Sequence, residues 1–131
     1  MKAIKYEKDQ YKIVHLIIDK PDSSTNLVDH QFCESLHWAI KKLAKDSPIG
    51  VIIRSNKSTF CTGTDLNLLK PFGPENNLTL ISITQQIKTL LRQLETQGMP
   101  VVACIEGSAL GIGWEIALSA HHRLAIDNSF I

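Results

Sequence analysis

No stretch of these 131 residues approaches the roughly 18 consecutive apolar side chains that cross a bilayer as a helix. Residues 1–12, MKAIKYEKDQYK, also lack the apolar centre of a secretory signal. Neither sign of charge dominates: 14 Lys and Arg against 13 Asp and Glu leave +1. A nucleic-acid surface calls for a clustered basic face, so that partner class is excluded. Lys41, Lys42 and Lys45 read instead as the solvated face of one helix. Cysteine is sparse; Cys33, Cys61 and Cys104 form no C-x-x-C pair of the kind that holds zinc or cycles electrons, which fits a reducing compartment and no metal. Fixed-period repeats, low-complexity tracts and interior linkers are missing too. What remains is a single cytoplasmic domain, 44% hydrophobic, of a size that buries roughly two-thirds of its unfolded surface.

Three apolar runs stand out. Residues 12–19, KIVHLIID, are rich in β-branched side chains and almost continuously apolar, as a strand covered on both faces would be. GVIIRS at 50–55 and VVACIE at 101–106 read the same way. Between the first two, Phe32, Leu36, Ala39, Ile40 and Leu43 keep helical spacing, with Asp29 placed to cap and Pro48 and Gly50 to terminate. After the second strand comes a polar, turn-rich segment, NKSTFCTGTD, and then a loop, KPFGPENN. Apolar positions 80, 83, 87, 90, 91 and 94 predict a second helix, with Asn77 as its cap. A third helix is predicted from Ile112 to His121, and the closing DNSFI has the look of a further element begun. Strands alternating with helices define an α/β class.

The segment GSALGIGWEIALSA, residues 107–120, aims three glycines at the start of that third helix and puts Glu115 in its first turn. It fails the dinucleotide pattern, because Ile116 stands where a third small residue is required, and it carries no G-K-[ST] phosphate loop. Two readings stay open. The glycines either allow a tight strand-to-helix turn and nothing more, or they expose backbone N–H groups that the helix dipole makes receptive to an oxyanion. FCTGTD, around Gly63 and Thr64, supplies a second such turn after a buried strand. Cys61 within it reads as a small buried side chain rather than a nucleophile. His121 and His122 read as surface or partner-facing residues at a helix end.

STFCTGTDL followed by PVVACIEGSALGIGWEIAL, with IVHLIIDKPDSSTNLVD upstream, resembles the crotonase superfamily of enoyl-CoA hydratases and isomerases. The likeness is greatest to the hydratase part of multifunctional fatty-acid β-oxidation proteins. It implies a spiral of ββα units, of which residues 1–131 would form the N-terminal portion, the C-terminal half lying outside the chain. It also implies an enoyl-CoA hydratase that adds water to a 2-enoyl-CoA thioester, with coenzyme A as part of the substrate and no separate cofactor. The thioester oxygen would be held by the N–H groups of Thr64 and of Ile112, an isoleucine where the family usually carries glycine. Glu115 matches the first catalytic glutamate, and the second would fall past Ile131. Ser24, Thr62, Asp65, Leu66 and Gly111 match substrate-contacting positions. The resemblance further implies trimers or hexamers, and fusion to a 3-hydroxyacyl-CoA dehydrogenase. The alternative is a truncated or degenerate relative that binds acyl-CoA or a partner without turnover.

Overall fold

The structure is a computed structural model describing residues 2–69 and 74–131, with the side chains of residues 69 and 74–77 also outside the description. A strand, a short bridging segment and a helix follow one another, and the pattern repeats. The first unit is β2 (Ile13–Ile18), the segment at Val28, and α1 (His30–Asp46). Next come β3 (Gly50–Ser55), residues 61–64 and α2 (Pro74–Glu95), then β4 (Val101–Ile105), residues 108–109 and α3 (Ile112–Ser119). β5 (His122–Ala125) and Phe130 open a further unit. Parallel bridges join each short segment to the next unit: Val28 to Thr64, Cys61 to Ala109, and Ser108 to Phe130. This is the expected spiral of ββα units.

With β1 (Ile4–Lys8) at one edge, the long strands form one sheet in the order β1-β2-β3-β4-β5, parallel from β2 onward. Parallel neighbours need crossover connections, and α1, α2 and α3 supply them. Period-2 alternation sends Val14, Leu16, Ile18, Val51, Ile53, Val101, Ala103 and Ile105 into the core. There they meet the apolar stripes of the helices: Phe32, Leu36, Ala39, Ile40 and Leu43 on α1, and Ile83, Ile87, Leu90, Leu91 and Leu94 on α2. Each fully buried Leu, Ile or Phe contributes about 1.5–3 kcal/mol. Truncating Phe32, 1% exposed, would cost about 3–5 kcal/mol through the cavity left behind. Asp29 caps α1 as expected, its carboxylate accepting from the Phe32 N–H at 2.9 Å.

Among the described residues there are five strands where three were expected. β1 (Ile4–Lys8) pairs antiparallel with β2 through a tight turn in which the Asp9 carboxylate accepts from the N–H groups of Tyr11 and Ile13. β5 extends the other edge, and its four residues are all exposed. The third helix ends at Ser119 rather than His121, because the chain turns extended at Ala120 and the His121 N–H bonds to the Val101 carbonyl. The second begins at Pro74, since proline is favoured in a first helical turn, where its missing N–H has no partner to lose. Residues 70–73 of the expected loop lie outside the described residues. So does the side chain of Asn77, which falls inside the helix rather than ahead of it.

Candidate active site

The first glycine turn is suspended between β2 and the third unit. Phe60 and Cys61 are buried, and both of their N–H groups donate to the Ser108 carbonyl at 3.0 Å. The Thr62 N–H reaches the Asn26 carbonyl at 2.9 Å, and the Gly63 carbonyl accepts from the Val28 N–H at 2.8 Å. Gly63 stands at φ +103, a conformation that side chains make costly, and a Cβ there would sit 3.2 Å from the Leu110 carbonyl oxygen. The chain is thereby turned so that the next N–H, on Thr64, has no acceptor among the described residues.

The second turn is shaped by fit. Gly107 lies at φ +73 against the Ser58 backbone, and Gly113 lies against Cys61; an added Cβ at either would come within 2.1 Å of a carbonyl oxygen. Leu110 N–H donates to the Cys61 carbonyl at 3.0 Å, which ties the two turns together directly. Gly111, exposed and at φ +55, precedes α3 without a side-chain cap. The Gly113 N–H returns to the Leu110 carbonyl and the Glu115 N–H to that of Gly111. Ile112, first residue of the helix, is left with an N–H that has no acceptor among the described residues. Its partly buried side chain packs on the core. The helix dipole adds partial positive charge at this end.

The structure thus places Thr62 and Thr64 in one turn and Gly111 and Ile112 in the other, the two tied through Leu110 and Cys61, and puts Glu115 in the first turn of α3, exposed and with no side-chain hydrogen-bond partner among the described residues. Ser24 is exposed, two residues ahead of Asn26. Asp65 is occupied locally: its carboxylate accepts from the Asn67 N–H at 2.9 Å and its carbonyl from Leu68, opening a short 3-10 turn (Leu66–Leu69). Leu66 is 69% exposed, presenting an apolar rim. The Cys61 thiol is fully buried, and burial pushes it up to about 11, with the Gly63 N–H offsetting only part of the rise, so no thiolate is available for attack. His121 is exposed yet structural: Nδ1 accepts from the Val101 N–H at 2.9 Å and Nε2 stands 3.0 Å from the Glu95 carbonyl, linking β4 to the end of α2. Among the described residues no group of three His, Cys, Asp or Glu side chains could hold a metal, and no helix is long and apolar enough to cross a membrane.

One residue escaped sequence reasoning. Asn26, fully buried, meets both the end of β2 and the first turn; its signal was a polar residue ending a run of turn formers, which composition alone reads as solvated.

A profile described as enoyl-CoA hydratase/isomerase matches residues 13–131. The fatty acid oxidation complex subunit alpha of Idiomarina loihiensis is 32% identical over 130 residues, covering 98% of this chain and 18% of the relative. Among solved structures, an enoyl-CoA hydratase from Thermoplasma volcanium superposes with a TM-score of 0.85 at 21% identity, covering 98% of this chain and 50% of that one. Another from Bacillus anthracis gives 0.85 at 22%, covering 98% and 49%. The chain therefore spans about half the length of these folds and under a fifth of the oxidation-complex subunit. With both glycine turns and the repeated ββα spiral inside the matched region, the chain belongs to the enoyl-CoA hydratase/isomerase family.

Proposed function

We propose that this sequence is the N-terminal portion of an enoyl-CoA hydratase domain that adds water across the double bond of a 2-enoyl-CoA thioester in fatty-acid oxidation. One observation carries the reading: two uncommitted backbone N–H groups, on Thr64 and Ile112, stand in turns that are hydrogen-bonded to each other. Converging on a thioester oxygen, they would stabilise the enolate that forms when water attacks C3; a single such donor is worth on the order of 3 kcal/mol of barrier. Glu115 would hold the attacking water and take its proton, while a second acid outside this chain protonates C2. Gly111, Thr62, Asp65, Leu66 and Ser24 border the path of the coenzyme A arm. No separate cofactor is required by this chemistry. A cytoplasmic trimer or hexamer, fused to a 3-hydroxyacyl-CoA dehydrogenase, completes the proposal for the longer polypeptide.

The test is loss of enoyl absorbance with crotonyl-CoA. A longer form containing this sequence should turn over, and Glu115→Gln should slow it by a factor on the order of 10² to 10⁴. The 131-residue chain should bind the thioester and hydrate it very slowly. Binding without turnover in the longer form would replace the hydratase by an acyl-CoA-binding protein, and neither binding nor turnover would overturn the site.

A further inference from the structure

Asn26 takes no part in the hydration chemistry, yet it is 0% exposed and stands where three segments converge. Its Oδ1 accepts from the Lys20 N–H at 2.9 Å. Its Nδ2 donates to the Ser55 hydroxyl at 2.8 Å and the Phe60 carbonyl at 3.0 Å, with the Ile18 carbonyl at 3.2 Å. Chemistry sets this orientation: rotating the amide would turn Oδ1 onto two carbonyl oxygens and the NH2 onto an N–H. The backbone carbonyl of the same residue accepts from the Thr62 N–H at 2.9 Å and from its hydroxyl at 3.3 Å. Residues on both sides of Cys61 are therefore held by one asparagine. Ser55 continues the network, its Oγ donating to the Thr59 carbonyl at 2.6 Å and accepting from the Lys57 N–H at 2.9 Å.

We infer that Asn26 is a positioning residue: through its amide and its carbonyl it sets the conformation of residues 60–64, and with it the direction of the Thr64 N–H. What that N–H faces rests on the thioester reading above; the loop conformation does not. An anchor on each side of Cys61 leaves Gly63 as the hinge that aims Thr64. A buried network of this kind fixes a single geometry when every member is satisfied. Here the amide is fully used, and a change of one partner propagates to the turn.

Residue-resolved amide hydrogen exchange on the chain tests this without ligand. Asn26→Asp keeps the shape but replaces the donor by an acceptor facing two carbonyls. The amides of Val28 and Thr62, which bond the turn, should then exchange at least about tenfold faster relative to those of β3 and β4, the factor that one lost buried hydrogen bond sets. Ser55→Ala should move the same amides several-fold by the same comparison, and decides alone if Asn26→Asp does not fold. An equal change in turn and sheet, or none in the turn, overturns the inference. In parallel, infrared spectra of bound crotonyl-CoA report polarisation of its carbonyl. If wild type shifts that band and a variant with a loosened turn shifts it equally, Asn26 does not act through Thr64 and the inference falls. If wild type binds no thioester, the hydratase reading fails, while the exchange result still decides what holds the turn.

Discussion

The two glycine turns end in the same feature, an N–H without an acceptor among the described residues, but they are built by different physics. The first is set by polar side chains: Asn26 and Ser55 beneath it, with Lys57 donating to the Ser23 carbonyl and pairing with Asp19. The second has no comparable side-chain bond among the described residues; α3 lacks a side-chain cap, and Gly107 and Gly113 fit against backbone where no Cβ fits. Hydrogen bonds are directional, with a partial loss costing about 0.5–1.5 kcal/mol. Steric exclusion is steeper, because a contact at 2.1 Å forces the backbone to move. The first turn should therefore be tunable and the second all-or-none.

Substitutions that separate the two mechanisms follow in order of size. Gly113→Ala should be the most damaging, about 3 kcal/mol or more in denaturant unfolding, since its Cβ would meet the Cys61 carbonyl, carbon and Cβ together. A loss near 1 kcal/mol would show that the second turn yields, and would dissolve the contrast. Gly111→Ala should cost about 2 kcal/mol, from backbone strain alone, because φ is +55 but nothing lies within 4 Å of the added carbon. Ser55→Ala should cost about 1 kcal/mol and loosen the first turn while sparing the second, as read by amide exchange at Val28 against Glu115.

The smallest effect is confined to acid. Lys5, then Asn56, with help from Lys57, holds the Asp19 carboxyl down at about 2, well below its ordinary value. A depressed carboxyl contributes stability in full above a pH of about 4 and loses it as the pH falls toward about 2. Acid unfolding of wild type should show this loss and Asp19→Asn should not, with the first turn, which Asn56 and Lys57 precede in sequence, opening before the second.

Most of the spiral was legible because its signals are local. β2, β3 and β4 are runs of Val and Ile, and the stripes of α1 and α2 buried the residues their spacing marked, except Leu80 at the start of the α2 stripe, which is half-buried. β1 was not legible: IKYEK buries only Ile4 fully, and its pairing depends on the Asp9 turn and on a partner strand. β5, HRLA, has no buried residue and hence no pattern to read; register with β4 alone makes it a strand. His121 belongs to the same class, since its bonds to Val101 and Glu95 join positions distant in sequence. At the site, the two glycine motifs marked the turns, and the roles of Thr64, Ile112 and Glu115 came from the family resemblance alone. Asn26 could not, because burial of a turn asparagine is a property of the assembled spiral.

The exposed edge at β5 has a consequence for handling the molecule. It offers backbone groups unpaired among the described residues and flanked by Leu124, Ile126, Phe130 and Ile131, each about half exposed or more, without the proline by which proteins usually blunt such an edge. In concentrated solution the isolated chain should self-associate by strand addition there, and a lysine in place of Leu124 should keep it dispersed.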